Sequence, residues 1–536
     1  MPRDTRSLRS DDPPSGVGGR RGRATLAVAL GLLAIVAVVA AVLPGFASAV
    51  ERKATPATLD SVFSEAGDGD TILLAGGSYG EFTGGLKSGM VTLKPQPGAS
   101  VAMNLRFSPA SNITIDGVRI RDAYISDART KNITIRNSDF DRGQIVLRGG
   151  AGDLADANIL LERNVHSNFD VCSGCYAARV QIAERTERPT GITIRDSVFY
   201  GGNGDGIQTG GNAVRILDNE FRDMHQGDAG VAHTDSIQLY GSRNTIVKGN
   251  YFHDVAVGVM CADGCDAETI EDNVFAVDGS PYAMTLLSDR GSKISHNTLL
   301  DYGICDYGQR CGVLYLGNKD GDPPSKGTIL VDNVLARVCV CAGSVSGLAV
   351  NASNLLTQTA FAGSHNLLGK PAYVGGSHPT SYERFALAAG SAGKGNASDG
   401  LDRGVRVAAR GGAGAPRATA SPLMPASVRV RSRSTLRSIV RTGRLRLELR
   451  SSRAATVTLA ATVRPGPAIG TARGAHSRRP IEIAAVGLRV DGPRVVARRL
   501  TRAARRVLAG SRDARVSVRM TVDAGRASVT ALKIRR

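Results

Sequence analysis

One short pattern recurs through the middle of the chain and leaves few folds open. It reads "NITIDGV" from Asn112, "NITIRNSDF" from Asn132, "NILLERNVH" from Asn158, "GITIRDSVF" from Gly191, "AVRILDNEF" from Ala213 and "NTIVKGNYF" from Asn244. It continues in "ETIEDNVF", "SKISHNTL" and "TILVDNVL". Each copy is a short strand of alternating Ile or Val, a polar turn, and a second apolar pair. The spacing varies between about 20 and 36 residues, as expected when each copy is one coil closed by a loop of variable length. A unit this short cannot bury its own apolar face, so the core must come from stacking one unit on the next. Asn164, Asn219, Asn250, Asn273, Asn297 and Asn333 take the same place in their copies, with Ser138, Ser197 and Ser353 in the others. Stacked amides at one turn can hydrogen-bond along the stack and serve the buried backbone. Asn favours turns in any case, but that preference alone does not set it two residues before Phe or Leu in copy after copy. The pattern points to an all-β parallel β-helix.

The stretch ahead of the repeats supplies an end cap. In "TPATLDSVFSEAGDGDTILLAGGSYGEF", Thr55 is placed to cap a helix and Pro56 to open it. Leu59, Val62, Phe63 and Ala66 form one apolar stripe, and Gly67 ends the helix. Such a helix covers the open end of a stack, where a bare strand edge invites aggregation. Together with the Asn-marked coils and the closing "FALAAGSAGKGNASDGLDRG", this resembles the pectate-lyase-like right-handed parallel β-helix superfamily, over about Ala54 to Gly404. The resemblance implies a right-handed helix of three sheets and an association with polysaccharides.

Composition divides the rest. A run of Arg20, Arg21 and Arg23, an apolar stretch from Ala24 to Leu43 and "ASA" at Ala47–Ala49 read as an export signal. The apolar stretch is also long enough for an uncleaved membrane anchor. Either reading puts the remainder outside the cytoplasm, secreted or at the cell surface. Eight cysteines suit that compartment. Cys172/Cys175, Cys261/Cys265 and Cys305/Cys311 are spaced to close small loops, whereas Cys339 and Cys341 lie on one strand face, leaving cross-coil pairing open. The His and Cys spacings match no standard zinc site. After Gly404 the chain turns Gly/Ala/Pro-rich and then into strictly alternating strands such as "RLRLELR", with Leu445, Leu447 and Leu449 inward and Arg444, Arg446 and Glu448 in water. A short helix is expected in "LTRAARRVLAG", begun by Thr501. The expected plan is a leader (1–49), a right-handed parallel β-helix with an N-terminal capping helix (50–404), a linker (405–425) and a basic antiparallel β-sandwich (426–536). The last part resembles Ig-like modules of secreted bacterial proteins. The chain's net charge of +19 is concentrated in that Arg-rich end, which suits an anionic cell wall or polysaccharide as partner. No nucleic acid is expected.

Function is sought where "DGIQ" at Asp205 recurs as "DSIQ" at Asp235. On adjacent coils the copies lie about 4.8 Å apart, with Ile207 and Ile237 inward, Gln208 and Gln238 outward, and the two aspartates stacked. Between them "RDMHQGDAGVAHTD" adds His225, Asp228 and His233, and seven of the twelve tyrosines fall between Tyr200 and Tyr315. With no Trp in the chain, Tyr must supply any sugar-stacking surface. Two carboxylates at that spacing suit a retaining glycosidase pair. Asp205, Asp228 and Asp235 also suit Ca²⁺. A cation or an Arg could neutralise a uronate carboxylate while a base removes the neighbouring proton in β-elimination, with His233 or Lys248 as base and Arg222 or Arg290 as charge partner. Gln208, Gln238, Tyr200, Tyr240 and His225 are the expected sugar contacts. A purely structural duty is the competing reading, since Asp caps turns and Gln ladders brace stacks. His253 and His296 read as solvated turn residues, Met260 as the outward successor of Gln238, and Cys261 as core or bridged. Neither the Asn-Thr-Asp-Gly set of polygalacturonases nor the Arg-x-Pro-x-x-Arg run of many pectate lyases is present. The expected function is therefore an exported polysaccharide-active enzyme, a lyase ahead of a glycoside hydrolase. The alternative is a non-catalytic surface or adhesion protein.

Overall fold

The computed structural model describes residues 49–149, 152–172, 175, 177–183, 187–226, 234–277, 282–300, 312–342, 348–407, 428–432, 439–441, 444–451, 455–465, 481–490, 494–499, 508, 513–522 and 527–535. The leader, and with it the signal or anchor reading, lies outside them, as do the linker beyond residue 407, the Thr501 helix start and the Cys305/Cys311 pair; the expected linker start at 405 is corrected, since Val405 is buried and Arg406 is bonded to Asp272. Among the described residues no helix is long and apolar enough to cross a membrane.

Each coil lays down three short strands. One turn of the path runs Ile192–Arg195, Val198–Tyr200, Asp205–Thr209, and the next runs Arg215–Leu217, Glu220–Met224, Asp235–Leu239. Each strand pairs in parallel with its counterpart one coil on, which builds a first, second and third sheet around one core. Alternation decides which side chains enter that core. On the first sheet Ile72, Leu93, Ile115, Ile135, Leu161, Ile194, Ile216, Val247, Ile270, Ile294 and Leu330 form one register column, and all are fully buried. The fold class is the expected parallel β-helix.

The turn from first to second sheet carries the Asn column. Asn273 shows its bonding: its amide donates to Val247 O at 2.8 Å and to Asn297 Oδ1 at 2.9 Å, while its own Oδ1 accepts from the backbone of Asn250 at 2.9 Å. The same pattern joins Asn219, Asn250, Asn297 and Asn333. Ser138 and Ser197 sit in the column as expected. Ser353 does not. Its neighbour Asn354 accepts from Asn333 at 3.0 Å and passes the ladder to Asn366. Ser353 instead occupies the preceding column, where Asn137, Arg163, Asp196, Asp218, Asp272, His296 and Asp332 all adopt positive φ near 50–60°. That left-handed residue makes the corner, and the short polar side chains there tolerate it best.

Inside the second sheet runs an aromatic column, Phe140, His166, Phe199, Phe221, Phe252 and Phe275, with ring centroids 4.5–4.9 Å apart. It explains the small residue in "DGIQ". A Cβ on Gly206 would meet Ser236 O at 2.3 Å and the Phe221 ring at 3.0 Å, and one on Gly258 would meet Phe275 at 2.5 Å.

The ends differ in detail from expectation. A strand, Glu51–Ala54, precedes the helix, which covers Leu59–Glu65 with Thr58 rather than Thr55 at its start. Thr55 is held in a turn by its backbone N–H donating to Thr58 Oγ1 at 2.9 Å. That displaces the start because Pro56 lies in the turn ahead of the helix. Leu59, Phe63 and Ala66 are buried as the stripe requires. At the other end the segment 371–407 folds back as a strap along the coils. Arg406 donates to both carboxylate oxygens of Asp272 at 2.6 and 2.8 Å, Ser398 holds Asp332, and Tyr382 and Phe385 are buried. Cys172–Cys175 and Cys261–Cys265 are disulfides, and Cys339 is also bonded. The strands after 427 pair antiparallel in sheets of three and four, with Leu445 and Leu447 buried.

Candidate functional site

Third-sheet register places Gln181, Gln208, Gln238, Met260, Thr285 and Tyr315 in one outward column. Gln208 Nε2 donates to Gln238 Oε1 at 2.5 Å. Farther along, the rings of Tyr315 and Tyr282 meet edge to face at 4.9 Å, and burial raises the Tyr315 phenol above its ordinary value. At the following turn Lys319 pairs with Asp263, which raises the Lys319 ammonium, and Tyr240 lies close enough to add to the shift. The column sets three amides, a thioether, a hydroxyl and a phenol one above the other at the rise of one coil.

Asp205 and Asp235 begin equivalent strands and are side by side, as the repeat implies. Asp205 Oδ1 accepts from the backbone of Asp235 at 2.8 Å. Both are buried, Asp235 completely. Beneath them lies Arg179, also buried, donating to the carbonyls of Gly201, Gly204 and Asp205. Burial pulls its guanidinium down to about 10, against the opposing charges of Asp205, Asp170 and Asp223. Asp205 thus lies beside a buried guanidinium and against the backbone of Asp235.

The outward face of the second sheet gathers a different group. Arg222 stacks 4.5 Å over the Tyr200 ring and places Nε 3.2 Å from Glu220 Oε1. His253 Nε2 lies 2.9 Å from the same oxygen, and its ring stacks on Tyr251 at 4.3 Å. These residues come from three successive strands, in the register Tyr200–Arg222–His253. Glu220 therefore orients both a guanidinium and an imidazole. One residue farther along the same strands, Asp223 and Asp254 both take φ 53° and, with His225, bring ligand atoms within 4.8 Å of one another. His296, Asp332 and Asp399 form a second such group under the strap.

The expected site residues are therefore divided. Arg222 and Tyr200 come together, His225 follows directly after the Arg222 strand, and Gln208, Gln238 and Tyr240 lie on the neighbouring sheet. Lys248 is elsewhere, on the first sheet, bonded to Glu271 at 2.7 Å. Arg290 sits at a turn, 3.5 Å from Asp266. His233 and Asp228 lie outside the described residues. The reading of His253 and His296 as solvated turn residues is corrected. His253 is in a strand and bonded to Glu220, and His296 is buried beside Asp332 and Asp399. The signal for His253 was present: "EFRDM" and "YFHDV" flank an inward Phe with outward residues on both sides, so Arg222 and His253 had to be neighbours.

The fold these coils define is a right-handed parallel β-helix. Residues 167–320, which contain every strand just described, match the family described as right handed beta helix region. No curated protein matches the chain. Among solved structures it is similar to a mutant of the PL6 family alginate lyase AlyGC, at 14% identity over 66% of this chain and 56% of that one, with a TM-score of 0.43. It is also similar to pectate lyase Pel9A, at 12% identity over 57% of this chain and 80% of that one, TM-score 0.26. A third is tailspike protein 2 of an Escherichia coli O157:H7 bacteriophage, at 10% identity over 90% and 64% of the two chains, TM-score 0.23. The chain spans little more than half the length of the alginate lyase.

Proposed function

We propose that the protein is an exported enzyme acting on uronate-containing polysaccharide, with its reacting centre on the second sheet and its sugar track along the third. The observation that carries this reading is Glu220 shared between Arg222 and His253, with Tyr200 under the guanidinium. In β-elimination the Arg222 guanidinium offsets the uronate carboxylate, which acidifies the adjacent C–H. His253, oriented by Glu220, accepts that proton. The electron pair forms the new double bond as the C4–O bond breaks, and the departing oxygen takes a proton from Tyr200. For a Ca²⁺ requirement, the Asp223–His225–Asp254 group is better exposed than Asp205 and Asp235.

The test is incubation of the mature protein with uronate-rich and neutral polysaccharides, with Ca²⁺ or chelator. Ultraviolet absorbance of an unsaturated product is the expected result, and His253→Gln or Arg222→Gln should lower it by at least about 100-fold. New reducing ends without that absorbance would mean hydrolysis. A second reading, glycan binding without chemistry, is favoured by one observation: the Arg222 side chain is only 8% exposed and already paired. Absence of either product across the panel, with binding retained, would select it.

A further inference from the structure

A cavity of about 640 Å³ lies apart from that centre, where the last second-sheet strands meet the beginning of the strap. Among the described residues its lining joins the cations Arg337 and Lys370 and the polar Gln358 and Thr357 to the apolar Leu299 and Tyr373, with no carboxylate among them. Nε of Arg337 and Nε2 of Gln358 are buried with no hydrogen-bond partner. A buried donor left unpaired is costly, and two of them on one cavity call for acceptors from outside the chain. The volume falls within the range of small-ligand sites. An Arg fork is shaped to hold a carboxylate through two parallel bonds. The hydroxyl-bearing threonines and serine in the lining match sugar hydroxyls, while its apolar residues and one aromatic ring suit the C–H face of a pyranose.

We propose that this cavity binds a hexuronate, a sugar carrying one carboxylate, either free or as the end residue of an acidic chain. The choice of ligand agrees with the function proposed above, but the pocket stands on its own residues. The full mature chain is titrated calorimetrically with galacturonate, trigalacturonate, galactose and inorganic sulfate. Galacturonate should bind one to one, with galactose and sulfate at least tenfold weaker. Arg337→Gln should weaken galacturonate about 10- to 100-fold, Arg337→Lys should recover part of the loss, and Gln358→Leu should weaken it by a smaller factor. Trigalacturonate binding at least as tightly as galacturonate identifies a chain end as the ligand, and weaker binding identifies the free sugar. The proposal falls if galacturonate does not bind, if galactose or sulfate binds equally well, or if Arg337→Gln changes nothing. Should Arg337→Gln lose its thermal transition, Lys370→Gln gives the same reading. His253→Gln should leave galacturonate binding intact, so a failed cleavage assay and a failed pocket are distinguishable.

Discussion

His166 interrupts a column of phenylalanines, and its ring stacks at the same spacing as theirs while both nitrogens lack partners. Burial, helped by the charge of Arg179, lowers its pKa from 6.5 to about 3. The unfolded chain therefore takes up a proton below about pH 6.5 that the folded chain refuses. The stability contribution is intact above that pH and is lost as pH falls toward 3, by ~1.4 kcal/mol per pH unit. His166→Phe should remove that slope. Urea unfolding at pH 7 and 4.5 should show the variant gaining about 2–3 kcal/mol over the parent at the lower pH, and parallel curves would contradict it. Gly206 makes the opposite case, a site with no room. Gly206→Ala drives a methyl into Ser236 O and Phe221 and should cost about 1–3 kcal/mol in the same assay. The repeat showed that a small residue was needed there. The reason lay thirty residues away in register, where no local reading of "DGIQ" finds it.

At the scale of the element, two rows of asparagine share a chemistry and differ in burial. Asn273 is fully buried and serves backbone groups of two neighbouring coils. Asn273→Ala leaves the Asn250 N–H without its acceptor and takes one donor from the Val247 carbonyl, and should cost about 1–3 kcal/mol. Asn132 bonds Asn112 at 2.7 Å and Asn158 at 2.9 Å in a similar row at the surface, and Asn132→Gly, which keeps its φ of 55° unstrained, should cost under about 0.5 kcal/mol because water replaces the lost bonds. Thermal midpoints of the two variants decide the matter, and equal losses would mean the inner row is not special. The strands, their register and the inner row were legible in the sequence because alternation and stacking are local rules repeated in each coil. The column slipped by one residue only at Ser353, where "NASNLL" offers two residues able to make the turn. The site was less legible. Asp205 and Asp235 had the right neighbours, but burial depends on how Arg179 fills the coil below. His253 reads as a turn residue in the sequence because nothing after Phe252 announces that the strand continues to Val255, three residues on.

For the molecule as a whole, the strap is the feature that repetition did not announce. It returns from the last coils to Asp272, where Arg406 closes an ion pair with a carboxylate 1% exposed and Tyr382 bonds the carbonyl at 2.5 Å. Val405 and Gly404 bond Thr298 and Asp332 on the way, at 3.0 and 2.7 Å. Arg406→Gln leaves the buried carboxylate with only Lys248, at 3.8 Å, as counter-charge and should cost about 1–3 kcal/mol. Limited proteolysis should then cut first near 371–407, and an unchanged digestion pattern would argue against the strap as a fastener. A pile of coils in which each layer touches only the next would ordinarily come apart from its free end, one layer after another. Here the trailing end is knotted several layers inward, so the outer coils cannot be shed singly. Heat, force or a protease should meet either a closed spool at that end or one that has sprung open across all the layers the tie spans.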